Sequence, residues 1–73
     1  MFPSREQVKQ VKEDYPPGTR IECLKCTDPY SPIPTGTRGT VKYVDDMGTI
    51  QVNWDNGRTL GLALGEDEYK KLN

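Results

Sequence analysis

The sequence has no histidine, one tryptophan, one phenylalanine and only two cysteines among its 73 residues. Without histidine it lacks the side chain that ordinarily handles protons near neutral pH and most often ligates metals. Two cysteines cannot supply the four nitrogen or sulfur ligands that a structural zinc site needs within one chain. An activated-serine motif and a glycine-rich loop set between a strand and a helix are missing as well. These absences point to a non-enzymatic protein that needs no cofactor. No apolar run approaches the roughly 18 residues of a membrane span. The N-terminal Met1-Phe2-Pro3-Ser4-Arg5-Glu6 lacks the apolar segment of a signal peptide. A soluble cytoplasmic protein with reduced thiols is the expectation. An excess of charge is also missing: 10 basic against 11 acidic residues leave a net charge of -1. A generally basic surface, which supplies most of the affinity in unspecific nucleic-acid binding, is thereby excluded, but a local basic patch is not.

What is present is turns and β-formers. Hydrophobic residues make up 33% and charged residues 29%, with six prolines and seven glycines. That mix suits short strands and frequent turns better than long helices. The length allows one domain, and a domain of this size buries only about 60% of its unfolded surface, so its core is small. Gly36 to Leu64 organises the rest. Two turn signals, Asp45-Asp46-Met47-Gly48 and Asp55-Asn56-Gly57, separate runs rich in Val, Ile, Thr, Tyr and Trp. Asn-Gly favours a tight primed turn, since both residues tolerate positive φ. The result is a three-stranded meander.

Ser4 and Gln7 make a Ser-x-x-Gln capping box after Phe2-Pro3. Val8, Val11 and Tyr15 form a narrow apolar stripe, with Arg5, Glu6, Lys9, Gln10, Lys12 and Glu13 around it. A helix of ~10 residues is marginal alone, so it must dock on the sheet. Pro16-Pro17 ends it. Thr19–Leu24 reads as the first strand, Ile21 and Cys23 sharing a face and Leu24 breaking the alternation, as at a bulge or at the strand's end. Thr27–Thr35 holds Pro29, Pro32 and Pro34, which exclude a central strand and make a stiff loop. The second strand, Arg38–Val44, places Val41 and Tyr43 on one face and Thr40, Lys42 and Val44 on the other. The third, Thr49–Trp54, turns Ile50, Val52 and Trp54 to one side. Arg58–Ala63 is the fourth, with Leu60 and Leu62 inward. Gly65–Tyr69 reads as one helical turn whose first-turn acids, Glu66, Asp67 and Glu68, suit its dipole. Lys70–Asn73 reads as a short last strand or a tail. The expected fold is mainly β: a small SH3-like barrel of about five short antiparallel strands, residues 16–73, with a short N-terminal α-helix, residues 1–15, packed on it.

Tyr15-Pro16-Pro17-Gly18-Thr19-Arg20-Ile21, Asp28-Pro29-Tyr30, Gly36-Thr37-Arg38-Gly39-Thr40-Val41 and Val52-Asn53-Trp54-Asp55-Asn56-Gly57, in that order, resemble a domain-of-unknown-function family of short bacterial proteins from Firmicutes, their phages and integrated mobile elements. The resemblance runs from Tyr15 to about Leu72. It implies an SH3-like fold and a cytoplasmic setting, and no activity. Gly39-Thr40-Val41 with Val52 to Gly57 also looks like the SH3-like repeat of certain ubiquitin ligases, which binds substrate tails or peptides. Gly36 to Val41 is similar to a short motif of ribosomal and transcription-elongation barrels. Such overlaps fall on turn and strand residues and carry fold rather than function.

Several constellations carry possible chemistry. Cys23-Leu24-Lys25-Cys26 has metal-knuckle spacing, and as metal ligands Cys23 and Cys26 would need a second copy, giving a zinc-bridged dimer. A redox role wants the pair at a helix N-terminus rather than at the end of a strand, so structural thiols are the plainer reading. Pro29-Tyr30-Ser31-Pro32 has the P-x-x-P spacing of polyproline ligands, although prolines also simply stiffen a loop. Tyr15, Asp28, Tyr30, Pro32, Tyr43 and Trp54 are the candidate binding residues for an unidentified protein or peptide. Within this set Trp54 reads first as core, and Tyr30 as the surface candidate that would form an aromatic shelf if it lay beside Tyr15 or Tyr69. Arg38, Lys42 and Arg58 are the candidate face of the alternative, a nucleic-acid-associated protein using charge and stacking. The sequence reads best as a protein-interaction module, monomeric and away from membranes.

Overall fold

The computed structural model describes residues 4–30 and 32–72. The Phe2-Pro3 lead-in, Ser31 of the Pro-x-x-Pro stretch and Asn73 of the tail lie outside the described residues. A helix, α1 (Arg5–Asp14), precedes five strands: β1 (Arg20–Lys25), β2 (Arg38–Val44), β3 (Ile50–Trp54), β4 (Thr59–Leu62) and β5 (Glu68–Lys71). The fold is mainly β, as expected. All pairings are antiparallel, and the strands form one open sheet in the order β4-β3-β2-β1-β5. The expected meander supplies β2 to β4, and the fifth strand returns to the far side of β1. No helix among the described residues is long and apolar enough to cross a membrane.

The capping box forms in full. Ser4 Oγ accepts from the Gln7 N–H at 3.2 Å and Gln7 Oε1 accepts from the Ser4 N–H at 2.8 Å, satisfying two donors at the helix start. Val8 and Val11 are buried, and α1 rests against β2. The core is the inner face of the sheet: Ile21, Cys23, Val41, Val44, Ile50, Val52, Trp54 and Leu62, joined by Val11 from the helix and Ile33 from the proline loop. Gly39 lies in register between Ile21 and Trp54. A Cβ there would come within 2.6 Å of Val52 Cγ1 and 2.8 Å of Trp54 Cε3, so the glycine gives the indole its room. The Trp54 indole Nε1–H donates to the Leu60 carbonyl at 3.1 Å, completing burial without an unpaired donor.

Three local expectations are corrected. The Asn56-Gly57 turn is not a primed two-residue turn, because no described residue other than glycine has positive φ. The Trp54 carbonyl accepts from Gly57, the Arg58 carbonyl accepts from Trp54, and Gly57 alone takes φ +88°. That is a three-residue loop closed by a left-handed glycine. Asp45 to Thr49 repeats it around Gly48. The second correction is the facing of Tyr43. The β2–β3 register shifts between Val41 and Tyr43, so Lys42 is an extra residue in the ladder. Beyond it the inward phase passes to Val44, and Tyr43 faces out at 50% exposure. The bulge expected at Leu24 is present, in the β1–β5 ladder.

Third, Gly65–Tyr69 is not a helical turn of free acids. Only Leu64 to Glu66 form a turn, and Glu68 and Tyr69 already belong to β5. The Asp67 carboxylate ties three donors together: Thr27 N–H and Oγ1 each at 2.7 Å from one oxygen, and the Ala63 N–H at 2.7 Å from the other. Ile33, on which the sequence is silent, is buried to 2% and fastens the loop to the core.

Candidate functional site

The loop from Thr27 to Gly36 is held at both ends and in the middle. At its start Thr27 is bonded to Asp67, and at its end Gly36 N–H donates to the Cys23 carbonyl at 2.7 Å. Thr35 Oγ1 donates to the Leu24 carbonyl at 3.0 Å. Inside the loop, Asp28 accepts from the Tyr30 N–H at 3.0 Å, a local turn bond that explains why an acid stands there. The Pro32 carbonyl accepts from Arg58 at 3.4 Å. Ile33 plugs into the core, and its carbonyl faces the Cys23 thiol at 3.6 Å. These restraints leave one large side chain standing in solvent: Tyr30, at 94% exposure. Prolines and anchors remove most of the loop entropy that a ligand would otherwise have to offset.

The other candidate aromatics are placed elsewhere. Tyr15, at the helix end, meets Tyr69 edge-on with ring centroids 5.5 Å apart, and Lys71 Nζ sits 5.1 Å above the Tyr15 ring. Burial, then the negative charge of Tyr15 when ionised and Asp67, push the Tyr69 phenol up to about 12. Burial and Asp14 raise Tyr15 as well. No ring contact joins Tyr30 to this pair among the described residues, so the aromatic shelf is not assembled. Trp54, 3% exposed, is core and presents no surface to a ligand. Tyr43 is on the outer face of the sheet.

Two of the three candidate nucleic-acid cations are already engaged. Arg38 pairs with Glu22 at 3.3 Å, a carboxylate that Lys70 also approaches at 3.8 Å. Arg58 is bonded to the Pro32 carbonyl, and Lys42 sits exposed at the bulge, about 13 Å along β2 from Arg38 at ~3.3 Å per residue. The structure does not bring the three together. Arg20 is also committed, holding Asp55 through two bonds of 2.8 and 2.6 Å and Thr40 at 3.0 Å.

Cys23 is fully buried and Cys26 packs at the edge of the core. Burial, then Cys26 and Asp67, hold the Cys23 thiol above its ordinary pKa, the opposite of what a ligating or redox thiolate requires. A zinc bridge between copies would have to lift Cys23 out of the core. No group of three or more His, Cys, Asp or Glu able to hold a metal occurs among the described residues. Asp67 is partly buried, which alone would raise its pKa. The bonds from Ala63 N–H, Thr27 N–H and Thr27 Oγ1 together outweigh burial and hold it below the usual carboxylate value.

One cluster escapes a reading for apolar periodicity. A cleft of roughly 470 Å³ lies between α1 and the β2–β3 turn, lined by Arg5, Val8, Lys9, Lys12 and Asp46. Lys12 closes on Asp46 at 2.7 Å, and this bond keeps the Asp46 carboxyl below its ordinary pKa. The spacing i, i+4, i+7 of the three cations was a usable signal. The acid opposite them is contributed by a turn 34 residues away, and only the docking of the helix brings it there.

No curated protein and no solved structure matches the chain. The family model described as domain of unknown function DUF4314 matches residues 4–72, which is nearly all of it, and the chain therefore belongs to the DUF4314 family.

Proposed function

We propose that this protein is a non-enzymatic interaction module, a small SH3-like barrel that binds a protein or peptide through the Asp28–Pro34 loop. The observation that carries the reading is Tyr30: an aromatic side chain in solvent at 94% exposure on a loop held by Ile33, Asp67 and three prolines. Exposed tyrosine on a rigid support gives contact area at low entropic cost, which is why tyrosine recurs at binding surfaces. The strand order, with a fifth strand returning beside the first, supports the SH3-like assignment. The setting we propose is the bacterial cytoplasm, as a monomeric accessory protein of a phage or mobile element, following the resemblance carried by the Tyr15–Ile21 and Gly36–Val41 motifs.

The test is a pull-down with the wild-type chain and the Tyr30→Ala variant, with a salt titration against single-stranded and duplex nucleic acid in parallel. A protein retained by the wild type and lost from the variant, with no salt-dependent nucleic-acid binding, is the expected result. Nucleic-acid binding that weakens with salt would transfer the reading to the rival, a nucleic-acid-associated accessory.

A further inference from the structure

The cleft beside α1 has a charge arrangement that the proline loop does not share. Arg5, Lys9 and Lys12 line one wall, the buried Val8 is the only apolar lining residue among the described residues, and Asp46 stands exposed at the mouth from the β2–β3 turn. Lys12 is paired with Asp46, whereas no ion pair or side-chain hydrogen bond among the described residues engages Arg5 or Lys9. The cleft therefore already holds one carboxylate, contributed by the chain itself, and has two further cations without one.

We propose that this cleft receives an acidic, extended segment of a protein partner, whose carboxylates meet Arg5 and Lys9 as Asp46 meets Lys12. Spacing supports an extended segment. Four helical residues rise about 6 Å from Arg5 to Lys9. Alternate side chains of an extended chain lie ~6.6 Å apart on one face, so two acids separated by one residue match the two cations. Met47, exposed at the turn beside Asp46, offers apolar surface nearby. The inference rests on reading the protein as a protein-interaction module, and it concerns a different surface from Tyr30.

The experiment follows backbone amide shifts of the whole chain on titration, at low salt, with a capped Glu-Ala-Glu-Ala-Glu peptide, its Gln-Ala-Gln-Ala-Gln counterpart and a short oligothymidylate. The acidic peptide is expected to shift Val8, Lys9, Lys12 and Asp46, and the glutamine peptide to shift none of them. Lys9→Glu, on an exposed helix face, should weaken the acidic peptide about tenfold. Asp46→Asn removes the internal competitor and should tighten it about threefold, an effect that a merely structural Lys12–Asp46 pair would not produce. Tyr30→Ala should leave this binding unchanged, so failure here and failure of the loop reading are separable. Equal shifts from both peptides, shifts elsewhere on the chain, no shifts at all, weaker binding by Asp46→Asn, or tighter binding of the oligothymidylate at the same residues would each overturn the proposal.

Discussion

Between Arg38 and Leu62 the chain turns its large side chains inward. Val41, Val44, Ile50, Val52, Trp54 and Leu62 are buried, and even the indole N–H of Trp54 is bonded internally. Tyr43 and Met47, at the bulge and the turn, are the exceptions. The proline loop does the reverse. It buries Ile33, spends its polar groups on its own anchoring, and leaves Tyr30 in solvent. The meander buries its tryptophan in the core of the sheet, whereas the loop turns its one tyrosine outward. A small core explains the contrast. Most of the large apolar side chains the meander supplies are needed for burial, which leaves the attached loop free to expose its own.

The comparison breaks most severely at Trp54. Trp54→Ala should cost about 3–5 kcal/mol, a large part of the ~4–11 kcal/mol that a 73-residue domain has in total. Urea denaturation should show a midpoint far below that of the wild type. A folded Trp54→Ala protein with a transition close to wild type would contradict the core assignment. Gly39→Ala comes next. Its Cβ would press on Val52 and on the indole, with the Asn53 carbonyl 3.0 Å away, and should cost roughly 1–3 kcal/mol in the same measurement.

Much of the meander was legible because its signals are local. The Ser4–Gln7 box, the Val8–Val11 stripe, the alternation of Ile50, Val52 and Trp54 and the glycine after each acidic turn depend on neighbours a few residues away. What the sequence hid depends on distant groups. Nothing around Lys42 announces that it is an extra residue, yet its insertion turns Tyr43 out and Val44 in. Asp67 looked like a helix-start acid because Thr27, which supplies two of its three donors, lies 40 residues away in sequence. Ile33 was masked by prolines, which exclude a strand but say nothing of burial. Of the candidate site, exposed Tyr30 was readable from the prolines around it. The basic cleft was not, since it needs the docking angle of α1 against the β2–β3 turn.

Asp67 sharpens the comparison, because it fastens the loop to the segment that leads into β5. Asp67→Ala leaves the N–H groups of Thr27 and Ala63 without their partner and should cost about 1 kcal/mol, the lower end for such a loss since the site is only partly buried. The pH dependence has a definite sign. The Asp67 pKa is depressed in the folded state, so its contribution is complete above the usual carboxylate value of 3.8 and is lost as pH falls through the folded value. Stability against urea should therefore decline below about pH 4 in the wild type, and less steeply in Asp67→Ala. At the alkaline end the sign is opposite. The Tyr69 pKa is raised to about 12, so its contribution is complete below the ordinary tyrosine value of 10.0 and lost between the two. Ultraviolet titration should show one tyrosine still protonated well above pH 10.0.

The smallest stability effect belongs to the residue with the largest expected functional one. Tyr30→Ala should change unfolding by less than about 0.5 kcal/mol, as befits a surface substitution without buried contacts. The most direct test of the account therefore pairs the thermal transition of Tyr30→Ala with its pull-down. The account predicts an unchanged transition, loss of the retained protein partner, and recovery of that partner in Tyr30→Phe. A Tyr30→Ala protein that keeps every partner of the wild type would contradict it.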